Sequence, residues 1–144
     1  MSLKMSRQER EAFLADVHVG VISIPREGRG PLTAPIWYSY EPGGEVLVGI
    51  GRDSLKGQLI NEGTMISLCA QDESPPYKYV TVEGPVTSIT DTNTDLDTRP
   101  MAIRYLGKEL GDHYADQSSD ANSIQVRIKP EVWLTVDYGK LQAD

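Results

Sequence analysis

The sequence predicts a mostly β domain, in which six antiparallel strands form a closed or split barrel and helices occur at only three places. Runs of β-branched and apolar residues recur along the chain, and several alternate with period two, as half-buried strands require. Most are joined by short turns rich in Gly, Pro and Asp, so neighbouring strands run antiparallel. A meander of this kind buries one face and tends to close on itself. With 144 residues, the chain has room for one domain with a real core, residues 1–144, and not for two.

Met1, Ser2, Leu3 and Lys4 have the character of an expression leader, with Met5 as the natural start. Ser6, Arg7, Gln8 and Glu9 form a capping-box pattern, which predicts a helix over residues 6–15 with Phe13 and Leu14 turned towards the body. Residues 17–24 are rich in β-branched side chains, and the alternation of Val17, Val19 and Val21 predicts a first strand half-buried on that face. A turn from Pro25 to Pro31 follows. The second strand, residues 32–40, places Leu32, Ala34, Ile36, Tyr38 and Tyr40 on one face and Thr33, Pro35, Trp37 and Ser39 on the other. Pro35 cannot donate to a ladder, so it marks an edge, a bulge or a place where a ligand lies alongside.

Gly43 and Gly44 turn the chain into a third strand, residues 45–50, whose end is flanked by Gly49 and Gly51; both would let another group approach the backbone closely. A helix of about two turns begins at Ser54 and is capped near Gly63. Residues 65–70 form the fourth strand, in which Cys69 reads as a small core residue. The fifth strand, residues 77–89, carries a bend or bulge at Gly84 and Pro85. A polar linker over residues 91–97 leads to a helix over 98–107, with Pro100 in its first turn. Ile103, Leu106 and Leu110 lie at helical spacing, so this element covers an open end of the sheet. The last strand, residues 123–136, turns Ile124, Val126 and Ile128 inward and breaks at Pro130. It then continues with Val132, Leu134 and Val136, and Trp133 faces the opposite way.

Composition excludes several functions. Fourteen Lys and Arg against 21 Asp and Glu give a net charge of -7, which leaves no basic field for a nucleic-acid backbone. No apolar run approaches the roughly 20 residues of a membrane helix, and the N-terminus lacks a signal-peptide apolar segment, which argues for the cytoplasm. The single cysteine cannot form an internal disulfide. His18 and His113 sit at no metal-ligand spacing from each other or from Cys69, so no protein-built metal site is expected. The chain shows no Ser–His–Asp set and no paired carboxylates with assignable roles, and no catalytic side chain can be named.

Candidate binding residues gather after the third strand. Arg52, Ser54 and Lys56 place two cations and a hydroxyl at a helix start, where free N–H groups and the helix dipole favour an anion. They are candidates for holding a phosphate, and solvated charges at a loop–helix junction are the alternative. Trp37 reads as a core residue or as a shelf for a planar ligand. Tyr77 and Tyr79 read as a cross-strand pair, Gln71 as a solvated strand end, and Trp133 as filler of a dimer seam.

Four segments together resemble the pyridoxamine 5'-phosphate oxidase-like flavoproteins, the split-barrel FMN-binding group that also contains the deazaflavin (F420) reductases. They are Pro35 with Ile36, Trp37 and Tyr38; Arg52 to Lys56 ahead of a helix; Ser67 to Gln71; and Pro76 to Gly84. The resemblance runs over residues 17–136. It implies an FMN-binding type of split barrel with Greek-key-like order, and a homodimer that holds the flavin in a groove at the subunit interface. By the same resemblance Arg52, Ser54 and Lys56 would hold the cofactor phosphate, Pro35, Ile36 and Trp37 would lie along the ring system, and Gln71 would reach the ribityl or ring region. Tyr79 or Lys78 would contribute nearby, and Trp133 of a second subunit would close the site. FMN is the cofactor implied, with F420 as the alternative. The longer anionic tail of F420 needs a basic groove, to which Arg26 and Arg29 could contribute, and the acidic balance of the chain favours FMN.

The resemblance departs from pyridoxamine 5'-phosphate oxidase itself, which carries a C-terminal set of basic substrate-binding residues near a tryptophan. After Trp133 only Lys140 is basic here, so oxidation of vitamin B6 is not expected. Two functions stay open. One is a flavin- or deazaflavin-dependent oxidoreductase that moves hydride between the ring and a small unsaturated or aromatic substrate. The other is a non-enzymatic carrier of FMN or another planar ligand. In either, the cofactor carries the chemistry and the protein supplies position, water exclusion and electrostatics.

Overall fold

The computed structural model describes residues 2–141, so Met1 of the expected leader lies outside the described residues. Its strands are β1 (Gly20–Ile24), β2 (Leu32–Ile36), β3 (Tyr38–Ser39), β4 (Val46–Gly51), β5 (Met65–Asp72), β6 (Lys78–Asp91), β7 (Ser123–Ile128) and β8 (Val132–Asp137). They pair antiparallel in the order β2–β1–β5–β6–β7–β4–β3, and β8 joins the free side of β6. The six predicted strands become eight because two of them divide. Residues 32–40 break at Trp37, so that β2 pairs with β1 while β3 crosses to β4. Residues 123–136 break around Pro130, so that β7 lies between β4 and β6 while β8 turns onto the first half of β6. The 14-residue β6 thus serves both halves of a split barrel.

Two backbone features make that sharing possible. The register of β6 against β7 shifts between Val86 and Ser88, a bulge just beyond the Gly84 and Pro85 where the sequence predicts one. Gly84 stands where residues 129–131 cross β6, and a Cβ there would lie 1.5 Å from the carbonyl oxygen of Lys129.

The core is aliphatic, with Ile22, Ile24, Val46, Val48, Ile66, Leu68, Val80, Val82 and Val126 fully buried around Tyr38. Three sequence expectations reverse here. Val17, Val19 and Val21 are exposed, and the buried face of the first strand is Gly20, Ile22 and Ile24. Both faces of that stretch are apolar, so alternation alone could not choose between them. Packing chooses the larger isoleucines, with Gly20 leaving space for Tyr38 and Leu68. Cys69 is half-buried on the outer face of β5, between the buried Leu68 and Ala70, rather than in the core. In β8, Val132 and Leu134 are exposed while Trp133 packs against the core and Thr135 is buried.

The first helix, α1 (Arg7–Ala15), carries the predicted capping box: Ser6 Oγ accepts from the Glu9 N–H at 3.1 Å, and Glu9 Oε1 accepts from the Ser6 N–H at 2.7 Å. Leu14 is its fully buried residue, and Phe13 packs partly against the core. The second, α2 (Leu55–Leu59), is a single short turn after β4. Where one helix is predicted, a π-helical turn at Thr94–Thr98 leads into a helical hairpin, α3 (Arg99–Leu106) and α4 (Lys108–Gln117). In the fold Gly107 makes the turn at φ +83°, and Gly111 lets the helices touch, since a Cβ there would lie 2.6 Å from the Ile103 Cα. Leu106 and Leu110, expected to cover the sheet, are exposed, and the hairpin buries Ala102, Gly111 and Ala115 instead. Arg99 ties it together through Asp95, Asp112 and Asp116. Among the described residues no helix is long and apolar enough to cross a membrane, and no group of His, Cys, Asp and Glu could hold a metal ion.

Candidate functional site

A cleft of about 380 Å³ opens where the face of β4 and β7 turned away from the core meets the α3–α4 hairpin. Gly49 and Gly51 of β4 line it together with Ser123 and Gln125 of β7. Pro35, Ile36 and Trp37 border it on one side, Ser54 and Lys56 on another, and Asp97, Thr98, Met101, Tyr114 and Asp120 cover it.

Trp37 occupies the gap between β2 and β3. Its indole lies on the Tyr105 ring, with centroids 4.9 Å apart, and meets Tyr114 at 5.6 Å in a tilted contact. The strand break leaves the main chain of Tyr38 in need of partners, and the Tyr105 hydroxyl supplies them. It accepts from the Tyr38 N–H at 3.0 Å and stands within donating distance of the carbonyls of His18, at 2.6 Å, and Tyr38, at 3.0 Å. Tyr38 is itself buried, which pushes its phenol far above the ordinary tyrosine range, and its hydroxyl donates to the Leu14 carbonyl at the end of α1. Arg104 of α3 donates to the carbonyls of Ala15 and Asp16. The hairpin, α1 and the Trp37 shelf are therefore one connected unit.

At the other end the charges are fewer than the sequence promised. Ser54 caps α2, accepting from the Gly57 N–H at 3.1 Å while donating to the Gly51 carbonyl at 2.6 Å. A Cβ at Gly57 would lie 2.3 Å from that same Gly51 oxygen, so this tight turn requires glycine. Arg52 does not line the cleft; its guanidinium pairs with Asp91. Lys56 lines the cleft and forms no ion pair with any described residue.

Two carboxylates missed in the sequence share the same space. Asp120 Oδ2 accepts from the hydroxyls of Thr94 and Thr98 at 2.7 and 2.8 Å, and Asp97 Oδ2 accepts from the Asn93 N–H at 2.8 Å. Asp97 lies in the segment read as a linker, where the four-residue spacing of Asn93 and Asp97, and of Thr94 and Thr98, was the available sign of a helical turn.

Of the nine residues predicted for the site, Pro35, Ile36, Trp37, Ser54 and Lys56 line this cleft. Arg52 stands outside it. Gln71 and Tyr79 are register partners on β5 and β6 and do not line it. Trp133 lines a different cavity, of about 400 Å³, beneath the Arg10 guanidinium at 4.4 Å and edge-on to Tyr40 at 6.1 Å. Arg26, considered for an anionic tail, donates to the Gly30 carbonyl within its own hairpin turn. Tyr105, Tyr114, Met101, Asp97, Asp120 and Gln125 are the residues that sequence reasoning missed.

Solved structures share this architecture. An F420 reductase is similar with a TM-score of 0.71 and 20% identity, over 86% of this chain and 94% of its own. A conserved hypothetical protein from Mycobacterium tuberculosis reaches a TM-score of 0.76 at 20% identity, over 99% of this chain and 91% of its own. A FAD-binding protein from Mesorhizobium loti gives 0.65 at 20% identity, over 91% and 94%. At such identities the likeness establishes the fold: this chain has the split β-barrel of the pyridoxamine 5'-phosphate oxidase type, on which flavin- and F420-binding proteins are built. No protein-family model matches the sequence, and no curated protein does.

Proposed function

We propose that the chain binds FMN in the cleft beside Trp37 and acts as an oxidoreductase that passes hydride between the flavin ring and a small unsaturated or aromatic substrate. One observation carries this reading. A single cleft joins an aromatic shelf, Trp37 on Tyr105, to an unpaired ammonium, Lys56, across a floor that lacks side chains at Gly49 and Gly51. Its volume lies within the range of about 300–1,000 Å³ usual for small-molecule sites.

When bound, the flavin supplies the hydride chemistry. Lys56 meets the phosphate, Ser54 holds the turn that presents it, and Arg52 stands behind, paired with Asp91. Pro35 and Ile36 offer main chain to the polar edge of the ring, and Trp37 shields it from water. Asp97 and Asp120 set one cation against two carboxylates in the same cleft. That balance suits one phosphate better than the polyanionic tail of F420, and it favours FMN.

A second copy of the chain belongs to the same proposal. Val21, Cys69, Thr81 and Leu134 stand in register across β1, β5, β6 and β8 on the outer face of the sheet. Covering that strip in a homodimer would bury the Val21 and Leu134 side chains and bring Gln71 and Tyr79, which share that face, into the seam. A non-enzymatic flavin carrier is the second reading, since the cofactor half of the site would be the same.

Titration of the purified protein with FMN and with F420, followed by absorbance, tests the proposal. Binding of FMN at micromolar concentration or tighter is expected, and binding of neither would remove it. Turnover of an electron acceptor by the reduced, loaded protein then separates the enzyme from the carrier.

A further inference from the structure

Gln125 is a polar side chain held between sheet and hairpin. Only 5% of it is exposed, and it lines the cleft. In the ladder it stands opposite Gly49, whose missing side chain makes room for it: a Cβ on Gly49 would lie 3.2 Å from Gln125 Nε2. Because Tyr38 pairs with Val48, Trp37 arrives level with Gly49 from the other side. Indole, glycine and amide thus follow one another across the sheet.

A directional chain of hydrogen bonds orients the amide. Ser123 Oγ donates to the Ile50 carbonyl at 3.4 Å, a group that only accepts. Thr92 Oγ1 donates to Ser123 Oγ at 3.2 Å, and Gln125 Nε2 donates to Thr92 Oγ1 at 3.0 Å. Turning the amide over would cost a bond, because the one hydroxyl hydrogen of Thr92 cannot serve both Ser123 and the amide oxygen. One N–H of the amide is thereby committed to Thr92, which fixes which way the amide faces, and Gln125 Oε1 accepts from none of the described residues. Gln125 Oε1 is not closed off from the cleft that the residue lines, so a ligand N–H there can supply the donor that no described residue does.

We propose that Gln125 Oε1 accepts a hydrogen bond from a ring N–H of the planar ligand that lies over Gly49 beside Trp37, and so selects heteroaromatic rings with an imide-type N–H at that edge. The role rests on the flavin reading above. An oxidised isoalloxazine carries a single ring N–H, in the imide of its pyrimidine portion, and this is the donor Gln125 reads. Gln125 is a specificity-determining residue and takes no part in the hydride step.

The test compares FMN with its N3-methyl analogue, titrated into the wild-type protein and into Gln125→Leu, with melting curves to establish folding. The wild type is expected to bind FMN about tenfold more tightly than the methylated ring. Gln125→Leu is expected to lose that preference by weakening on FMN alone. If Gln125→Leu does not fold, Gln125→Met, of similar length and without an acceptor, replaces it. A wild type that binds both ligands equally, or a folded variant that keeps the preference, overturns the role of Gln125 and leaves the flavin reading standing. A wild type that binds neither ligand overturns both.

Discussion

The indole of Trp37 and the phenol of Tyr105 lie face to face, 4.9 Å between centroids and 6° between planes. One ring comes from the break between β2 and β3 and the other from α3, so the shelf beside the cleft exists only while the hairpin is docked. Tyr105→Phe keeps the stacking and removes the hydroxyl that serves Tyr38 and His18. It is expected to cost about 1–3 kcal/mol in urea unfolding, because main-chain groups lose their partner. Tyr105→Ala should cost more and shift tryptophan emission to the red as Trp37 becomes wetter, whereas unchanged unfolding of Tyr105→Phe would show that the hydroxyl does not hold the break.

How much of this was legible in the sequence varies with the kind of signal. The capping box at Ser6 and Glu9 was readable because both partners are local. Pro35 marked an edge, a bulge or a ligand-side position without choosing among them, and β2 stands at the edge of the sheet. The outward turn of Val21 and Leu134 was not readable: β1 has apolar residues on both faces, and in β8 the more aliphatic face, with Val132 and Leu134, is the one left outside while Trp133 and Thr135 turn inward. The hairpin was half hidden because Gly111, which packs against Ile103, looks like a breaker to any local rule. The same limit hid Tyr105 and Gln125, whose roles depend on contacts with residues tens of positions away.

The ion pair of Arg52 with Asp91 divides the labour between the two cations of the predicted phosphate site. Lys56→Ala is expected to weaken FMN binding at least tenfold, through the loss of a charge-assisted bond of about 1.5–3 kcal/mol, with the melting temperature unchanged. Arg52→Ala should weaken it less, because that guanidinium is already engaged outside the cleft. Equal affinities in the wild type and a Lys56→Ala, Arg52→Ala double variant, measured by flavin absorbance, would remove the phosphate assignment.

Acid should loosen the N-terminal helix first. Lys140 Nζ donates to Glu9 at 2.6 Å, the Ser6 N–H adds a second bond, and together they hold the Glu9 carboxyl at about 2 against an ordinary 4.5. A depressed value means that the folded state takes up this proton less readily than the unfolded state. The stabilisation is therefore complete above pH 4.5 and is lost as the pH falls towards 2. Melting temperatures of Glu9→Gln should be lower than wild type at neutral pH and converge with it at the acid end. Parallel curves for the two proteins across that window would contradict this.

Gly84 is the point where the two halves of the barrel cross, and the Lys129 carbonyl oxygen fills the place of its side chain. Gly84→Ala must push residues 129–131 away from β6 and strain the pairing of β8 that follows. A loss of at least about 2 kcal/mol is expected in denaturant unfolding. Gly30→Ala, at a turn glycine with open space around it, is the control and should stay close to wild type.

Leu134 tests the second copy. It is 55% exposed on the outer face of β8, in register with Thr81 and, through β5, with Cys69 and Val21. An isolated chain gains nothing from an apolar residue there, so Leu134→Glu should leave the melting of a monomer almost unchanged. In a homodimer closed by this strip, two symmetry-related carboxylates would be forced into an apolar seam near the twofold axis, a penalty large enough to separate the subunits. Sedimentation equilibrium should then give a dimer for the wild type and a monomer for Leu134→Glu. FMN binding supplies the second measurement: a monomeric variant with weakened affinity would mean that the outer face of one copy completes the cleft of the other, through Gln71 or Tyr79. A monomeric variant with full affinity would mean that the cleft beside Trp37 is complete within one chain, and a wild type that sediments as a monomer would set the dimer aside.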